Sequence, residues 1–149
     1  GPWKKISFNK KDGKIERIGG YEKEEKRPDL IIFSRKYKLL LIIEAKDFVS
    51  GLIKESEKIE ETFKKEYDKL SKMRLIKDEF SSLFVINGLV FFSNSSNDET
   101  TQLIKKYKGT PNLIIFLVDK SEDNLIIKFN TRISDKKIEP LTELFLSKN

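Results

Sequence analysis

Two short apolar runs separated by a polar break constrain this chain more than any other feature. Leu30-Ile31-Ile32-Phe33 and Leu39 through Ile43 flank the polar Ser34-Arg35-Lys36. Short runs rich in β-formers around such a break predict a hairpin of buried strands. A turn centred between Lys36 and Tyr37 sets the register, and counting outward from it puts Asp29 opposite Glu44. Cross-strand partners have Cβ atoms roughly 4.5–5.5 Å apart, close enough for two carboxylates to share one cation. Side chains alternate along a strand, so Glu44 and Lys46 share a face while Asp47 points to the other. Two acids and an ammonium are thereby expected to converge at one end of a greasy hairpin.

An acid-x-Lys triplet carries little weight alone in a chain that is 36% charged. Pro-Asp ahead of a strand is also an ordinary turn signal. The competing reading is a structural ion pair. What favours a site is the conjunction of spacing, hairpin pairing and apolar strands that leave these charges otherwise unexplained.

Pro28, Asp29, Glu44 and Lys46 together resemble the motif of the PD-(D/E)XK nuclease superfamily, to which many restriction endonucleases belong. The motif match covers about residues 28–47, and the later element order is compatible with the family core. The resemblance implies that Asp29, Glu44 and the backbone carbonyl of Ala45 ligate a divalent metal, usually Mg2+ with Mn2+ able to substitute. It implies that Lys46 orients or helps deprotonate the attacking water. The expected activity is a magnesium-dependent endonuclease domain of a restriction or defence enzyme, hydrolysing DNA and acting on duplex as a homodimer. A nuclease-like domain that binds nucleic acid or a protein without cutting is the alternative, and RNA is a possible substrate on the same residues.

The chemistry asks for these residue types independently. A phosphodiester is anionic and resists hydroxide, so its catalyst needs positive charge at the phosphoryl oxygens and an activated water. Magnesium is a hard ion that prefers oxygen ligands and keeps several waters, which suits a two-carboxylate site. Without a cation the two acids repel each other and one tends to stay protonated.

Composition removes several alternatives. The chain has no His, which excludes histidine general bases and His-ligated zinc, and no Cys, which excludes thiolate chemistry and disulfides. Thirty Lys+Arg against 24 Asp+Glu give a net charge of +6, a basic excess that favours an anionic partner. No stretch is apolar enough to span a membrane and no signal peptide is legible, so no membrane partner is expected and a cytoplasmic location is the default. At 149 residues, one domain over 1–149 is expected. Gly1-Pro2 without an initiator Met reads as a protease-cleavage scar, so the domain could be excised from a longer protein.

The rest of the chain reads as an α/β fold with a mixed central sheet flanked by helices, restriction-endonuclease-like. Ile6 and Phe8, Asp12-Gly13, then Ile15 and Ile18 read as a hairpin rather than a helix. The resemblance implies a further acid upstream of the motif, for which Glu16, Glu22 and Glu24 are candidates. Ser50 to about Lys72 reads as one long amphipathic helix with Ile59, Phe63, Tyr67 and Leu70 inward. By the same resemblance its Lys65 or Lys69 could contact phosphate. Met73 to Phe80 continues or restarts the helix. Leu83–Phe92 is expected to hold a strand interrupted at Asn87-Gly88. Ser96 through Glu99 is a capping box opening a helix that Gly109 and Pro111 end. Strands follow at Asn112–Val118 and Leu125–Phe129, and Pro140 is expected to start a last short helix.

Overall fold

The computed structural model describes residues 3–8, 27–92, 95–121, 124–131 and 133–146. Its strands are β1 Trp3–Phe8, β2 Leu30–Ser34, β3 Leu39–Lys46, β4 Phe84–Phe91, β5 Leu113–Ser121 and β6 Asn124–Thr131. The helices are α1 Val49–Lys54, α2 Ser56–Lys72, α3 Asn97–Lys106 and α4 Asp135–Leu146. The strands form one six-stranded sheet in the order β1-β6-β5-β4-β3-β2. The ladders β3–β4 and β4–β5 are parallel and the others antiparallel, so the expected α/β class with a mixed sheet is what folds.

Parallel neighbours cannot be joined by a tight turn and need crossovers. α1 and α2 supply the first, between β3 and β4, and α3 the second, between β4 and β5. Crossovers of one hand in one direction lie on one face of the sheet. On that face Ile31, Phe33, Leu40, Ile42, Leu89 and Phe91 pack under Leu52, Ile59, Phe63, Leu70, Leu103 and Tyr107. On the other, Ile32, Leu39, Leu41, Ile43, Ile86 and Phe116 pack with Ile138, Leu141 and Leu144 of α4. Burial on both faces explains why β2 and β3 read as unbroken apolar runs.

The hairpin register follows from its turn. Ser34 pairs with Leu39 and Leu30 with Ile43, which centres the turn between Lys36 and Tyr37 as the count requires. Ser34 Oγ accepts from the Tyr37 N–H at 3.2 Å, and Lys38 takes a left-handed φ of 54° to re-enter the ladder.

Several elements differ from the sequence reading. The single helix from Ser50 is two, divided at Glu55 (φ −99°, ψ 20°), although the Glu55 N–H still reaches Gly51 O at 3.1 Å. Gly51 and Ser56 flank this kink, small residues at which helices bend readily. In α2 it is Glu66 that is buried, at 3% exposure, while Tyr67 is 47% exposed. Phe63 and Leu70 fix the helix phase, and spacing alone cannot choose between positions 66 and 67. Tyr67 packs edge-on against Phe80 at 5.1 Å. After α2 the chain makes turns and a 3₁₀ segment, Phe80–Ser82, in place of more helix.

β4 passes through Asn87-Gly88 without interruption. A Cβ on Gly88 would lie 3.2 Å from Phe116 and 3.3 Å from Ile43, so the glycine permits close packing rather than a break. Pro140 lies inside α4, not at its start. Ile138, Leu141 and Leu144 form one buried stripe, and burying Ile138 requires helix ahead of the proline. The capping box is present, with Ser96 Oγ accepting from Glu99 N–H and the Glu99 carboxylate from Ser96 N–H, each at 3.1 Å. β1 occupies the first arm of the hairpin expected before residue 20; the second arm lies outside the described residues.

Candidate functional site

One step past the last paired residues of the β2–β3 ladder, the register sets Asp29 across from Glu44. The alternation that buries Ile31 and Phe33 in β2, and Leu40 and Ile42 in β3, under α1–α3 carries Asp29, Glu44 and Lys46 onto the same face. Asp29 is exposed and Glu44 partly buried. The Ala45 N–H donates to Asp29 Oδ2 at 2.7 Å, a charge-assisted bond that fixes the carboxylate at the mouth of the hairpin. Asp29 is close enough to act on the Glu44 carboxyl.

The electrostatics are those of an acid pair only partly offset by a neighbouring ammonium. Burial, then the Asp29 charge, then their hydrogen bond push the Glu44 carboxyl up to about 7. Lys46 opposes this but is outweighed by burial and Asp29, and its ammonium pairs with Glu55, Nζ lying 2.6 Å from Oε2. A Cβ on Gly51 would meet Lys46 Cβ and Cγ at 3.4 Å, an ordinary van der Waals contact, so α1 lies directly beside the lysine stem. Glu55, chiefly through hydrogen bonding, holds the Lys46 ammonium above the usual lysine range.

Beneath these groups, Tyr107 donates its hydroxyl proton to Leu52 O at 2.6 Å. Burial raises its phenol well above the ordinary value, and the charges of Glu60, Glu44 and Glu55 raise it further. Glu55 and Glu60 thus belong to the electrostatic surroundings of the site, and the sequence reading named neither. No motif marks them, because a helical kink and a loop contact bring them in. Glu60 Oε2 accepts from Thr110 Oγ1 at 2.8 Å.

The other candidates are placed as follows. Lys65 pairs with Glu61 at 3.0 Å on the exposed side of α2. Helical rise carries Lys65 and Lys69 roughly 15 and 21 Å along the axis from Glu55, away from the acid pair. Glu16, Glu22 and Glu24 lie outside the described residues. Among the described residues no group of three or more acid, His or Cys side chains gathers to hold a metal; the acids at the hairpin mouth are two. A cavity of about 370 Å³ lies between α2 and the 109–111 loop, lined by Phe63, Tyr67, Asn87 and Pro111 among others, and contains none of Asp29, Glu44 or Lys46. Asn87 Nδ2 donates to Pro111 O at 2.7 Å there, while its Oδ1 has no partner among the described residues.

Compared with family models, curated proteins and solved structures, the chain matches none. Among the described residues no helix is long and apolar enough to cross a membrane.

Proposed function

We propose that this chain is a magnesium-dependent nuclease domain of the restriction-endonuclease-like kind, hydrolysing phosphodiester bonds in DNA at Asp29, Glu44 and Lys46. One observation carries the reading: Asp29 and Glu44 face each other on a single side of the hairpin, with Asp29 fixed by the Ala45 N–H. Two carboxylates held face to face, with Glu44 partly buried, attract a divalent cation, which offsets the burial and the Asp29 charge that push the Glu44 carboxyl up to about 7.

The donor set fits such an ion. Asp29 and Glu44 would hold it, and the Ala45 carbonyl is available by an argument from register. A strand residue directs its N–H and C=O to the same side, and the partner at that height is Pro28, which has no N–H to give. When bound, the ion supplies Lewis acidity toward the phosphoryl oxygens and a more acidic water. The chain's own contribution is positional. Asp29 and Glu44 bind and orient, and the Lys46 ammonium contributes fixed positive charge on the same face for a phosphate oxygen or an attacking water. The basic excess of +6 draws the polyanion in.

A second reading shares the fold and lacks the cutting: a domain that binds nucleic acid without hydrolysis. The Lys46 ammonium favours it, being paired with Glu55 rather than with the acids at the hairpin mouth. Incubation with supercoiled, linear and single-stranded DNA, and with RNA, with and without Mg2+ or Mn2+, separates the two. Metal-dependent cleavage abolished in Glu44→Ala supports the nuclease. Retention of cleavage by that variant, or none on any substrate with DNA binding intact, overturns it. One site cuts one strand, so duplex cleavage needs two sites or two successive nicks, and a homodimer on DNA is the expected assembly, read by sedimentation.

A further inference from the structure

We infer that Glu55 is a positioning residue for Lys46, holding its ammonium on the Glu44 side of the sheet and off the acid pair; the role rests on the nuclease reading, and the placement does not. Lysine has a flexible four-carbon stem, and an ammonium at the end of β3 has no intrinsic reason to stay in one place. Here it is gripped twice. The stem lies beside Gly51, where an added Cβ would be in van der Waals contact with Cβ and Cγ at 3.4 Å. The head meets Glu55 Oε2 at 2.6 Å.

The grip on the head comes from a fixed backbone. Glu55 sits at the kink between α1 and α2, its N–H bonded to Gly51 O at 3.1 Å and its carbonyl accepting from Ile59 N–H at 3.0 Å. Gly51 therefore serves both contacts, as the surface beside the stem and the anchor of the residue that holds the head. Both members of the pair are 38% exposed. Exposed pairs do little for stability, so the geometry is better explained by where it puts the ammonium than by what it adds to the fold.

The arrangement also divides the charges. A free Lys46 would be the nearest cation for Glu44, two residues back on the same face. Engaged by Glu55, it leaves Glu44 and Asp29 facing each other, open to a cation of higher charge.

The test is a double-mutant cycle in cleavage with a spectroscopic arm. Glu55→Ala is expected to lower kcat by about tenfold or more with KM changed less than about twofold, and Glu55→Gln, which keeps an acceptor for the ammonium, to recover most of the loss. In a Lys46→Ala background, Glu55→Ala is expected to change kcat by less than about twofold, because both substitutions remove one unit. An equal loss in both backgrounds, or a shift in melting temperature with kcat intact, overturns the inference. The spectroscopic arm follows the lysine ammonium resonances, with that of Lys46 assigned by Lys46→Arg. Loss of a protected Lys46 ammonium signal in Glu55→Ala supports the placement, and its persistence there overturns it. If the unaltered protein cleaves no substrate, the nuclease reading and the catalytic role fall together, and the ammonium signal alone decides the placement.

Discussion

The two ends of the β2–β3 hairpin are built from the same apolar strands and treat charge in opposite ways. At the turn, Arg35 reaches both oxygens of Glu79 at 2.8–3.1 Å and lies 5.0 Å over the Phe33 ring. At the open end, two acids confront each other and the nearest lysine is turned to a third acid. The turn end is what folding alone would produce, a charge matched to its opposite. The open end keeps two acids together at a cost to stability, and that unmatched pair is what the nuclease reading uses.

Substitutions can break that contrast, and the largest effect is expected in catalysis. Glu44→Ala or Asp29→Ala should each lower the cleavage rate by about 10²–10³, the scale for losing one preorganised charged group. Arg35→Ala should leave the rate unchanged. A rate that falls equally for Arg35→Ala would mean that the hairpin as a whole, and not its open end, supports activity.

Metal binding comes next. Calcium, used without substrate and followed by calorimetry, should bind more tightly as pH rises toward 7 and should displace protons from Glu44. Asp29→Ala should weaken it by about tenfold or more. Binding that is independent of pH between 5 and 7.5 would remove Glu44 from the ligand set.

The effect on stability is smaller and its sign follows from linkage. Glu44 titrates higher in the folded chain, about 7, than its ordinary 4.5. Between those values the native state holds more protons than the unfolded state, so this group makes stability fall as pH rises. Glu44→Gln should flatten that fall and raise the melting temperature at pH 7.5 by a few degrees. Thermal unfolding at pH 5 and 7.5 checks it. The smallest effect belongs to the matched end: Arg35→Ala should cost about 0–1 kcal/mol in denaturant unfolding, as exposed pairs do.

The hairpin was the most legible part of the chain, because its apolar runs and polar break admit one register without exposing a buried face. Asp29 and Glu44 follow from that count. The remainder was less legible for definite reasons. Periodicity placed α2 on the sheet but could not tell whether Glu66 or Tyr67 faced inward, and hydrophobicity favoured the wrong one. Pro140 suggested a helix start, and burial of Ile138 overrode it. Glu55 carries no local signal at all. Its place depends on a kink and on the length of the Lys46 side chain, and both are tertiary facts.

The pairing of β1 with β6 gives the sheet a timetable. Trp3 lies opposite Asn130 and Phe8 opposite Leu125, partners separated by nearly the whole chain. Such contacts close the longest loops and reward the chain only after that entropy has been lost. The β2–β3 hairpin, by contrast, closes through a short turn. During synthesis the acid pair can therefore be assembled while β6, the partner of the far edge strand β1, is still inside the ribosome. The first strand must wait, unpaired with β6, until the chain is almost complete. Pulse-labelled hydrogen exchange during refolding should show amides of Ile31–Ile43 protected before those of β1. The order of protection would then follow the spacing of partners along the chain, not their distance from the acid pair.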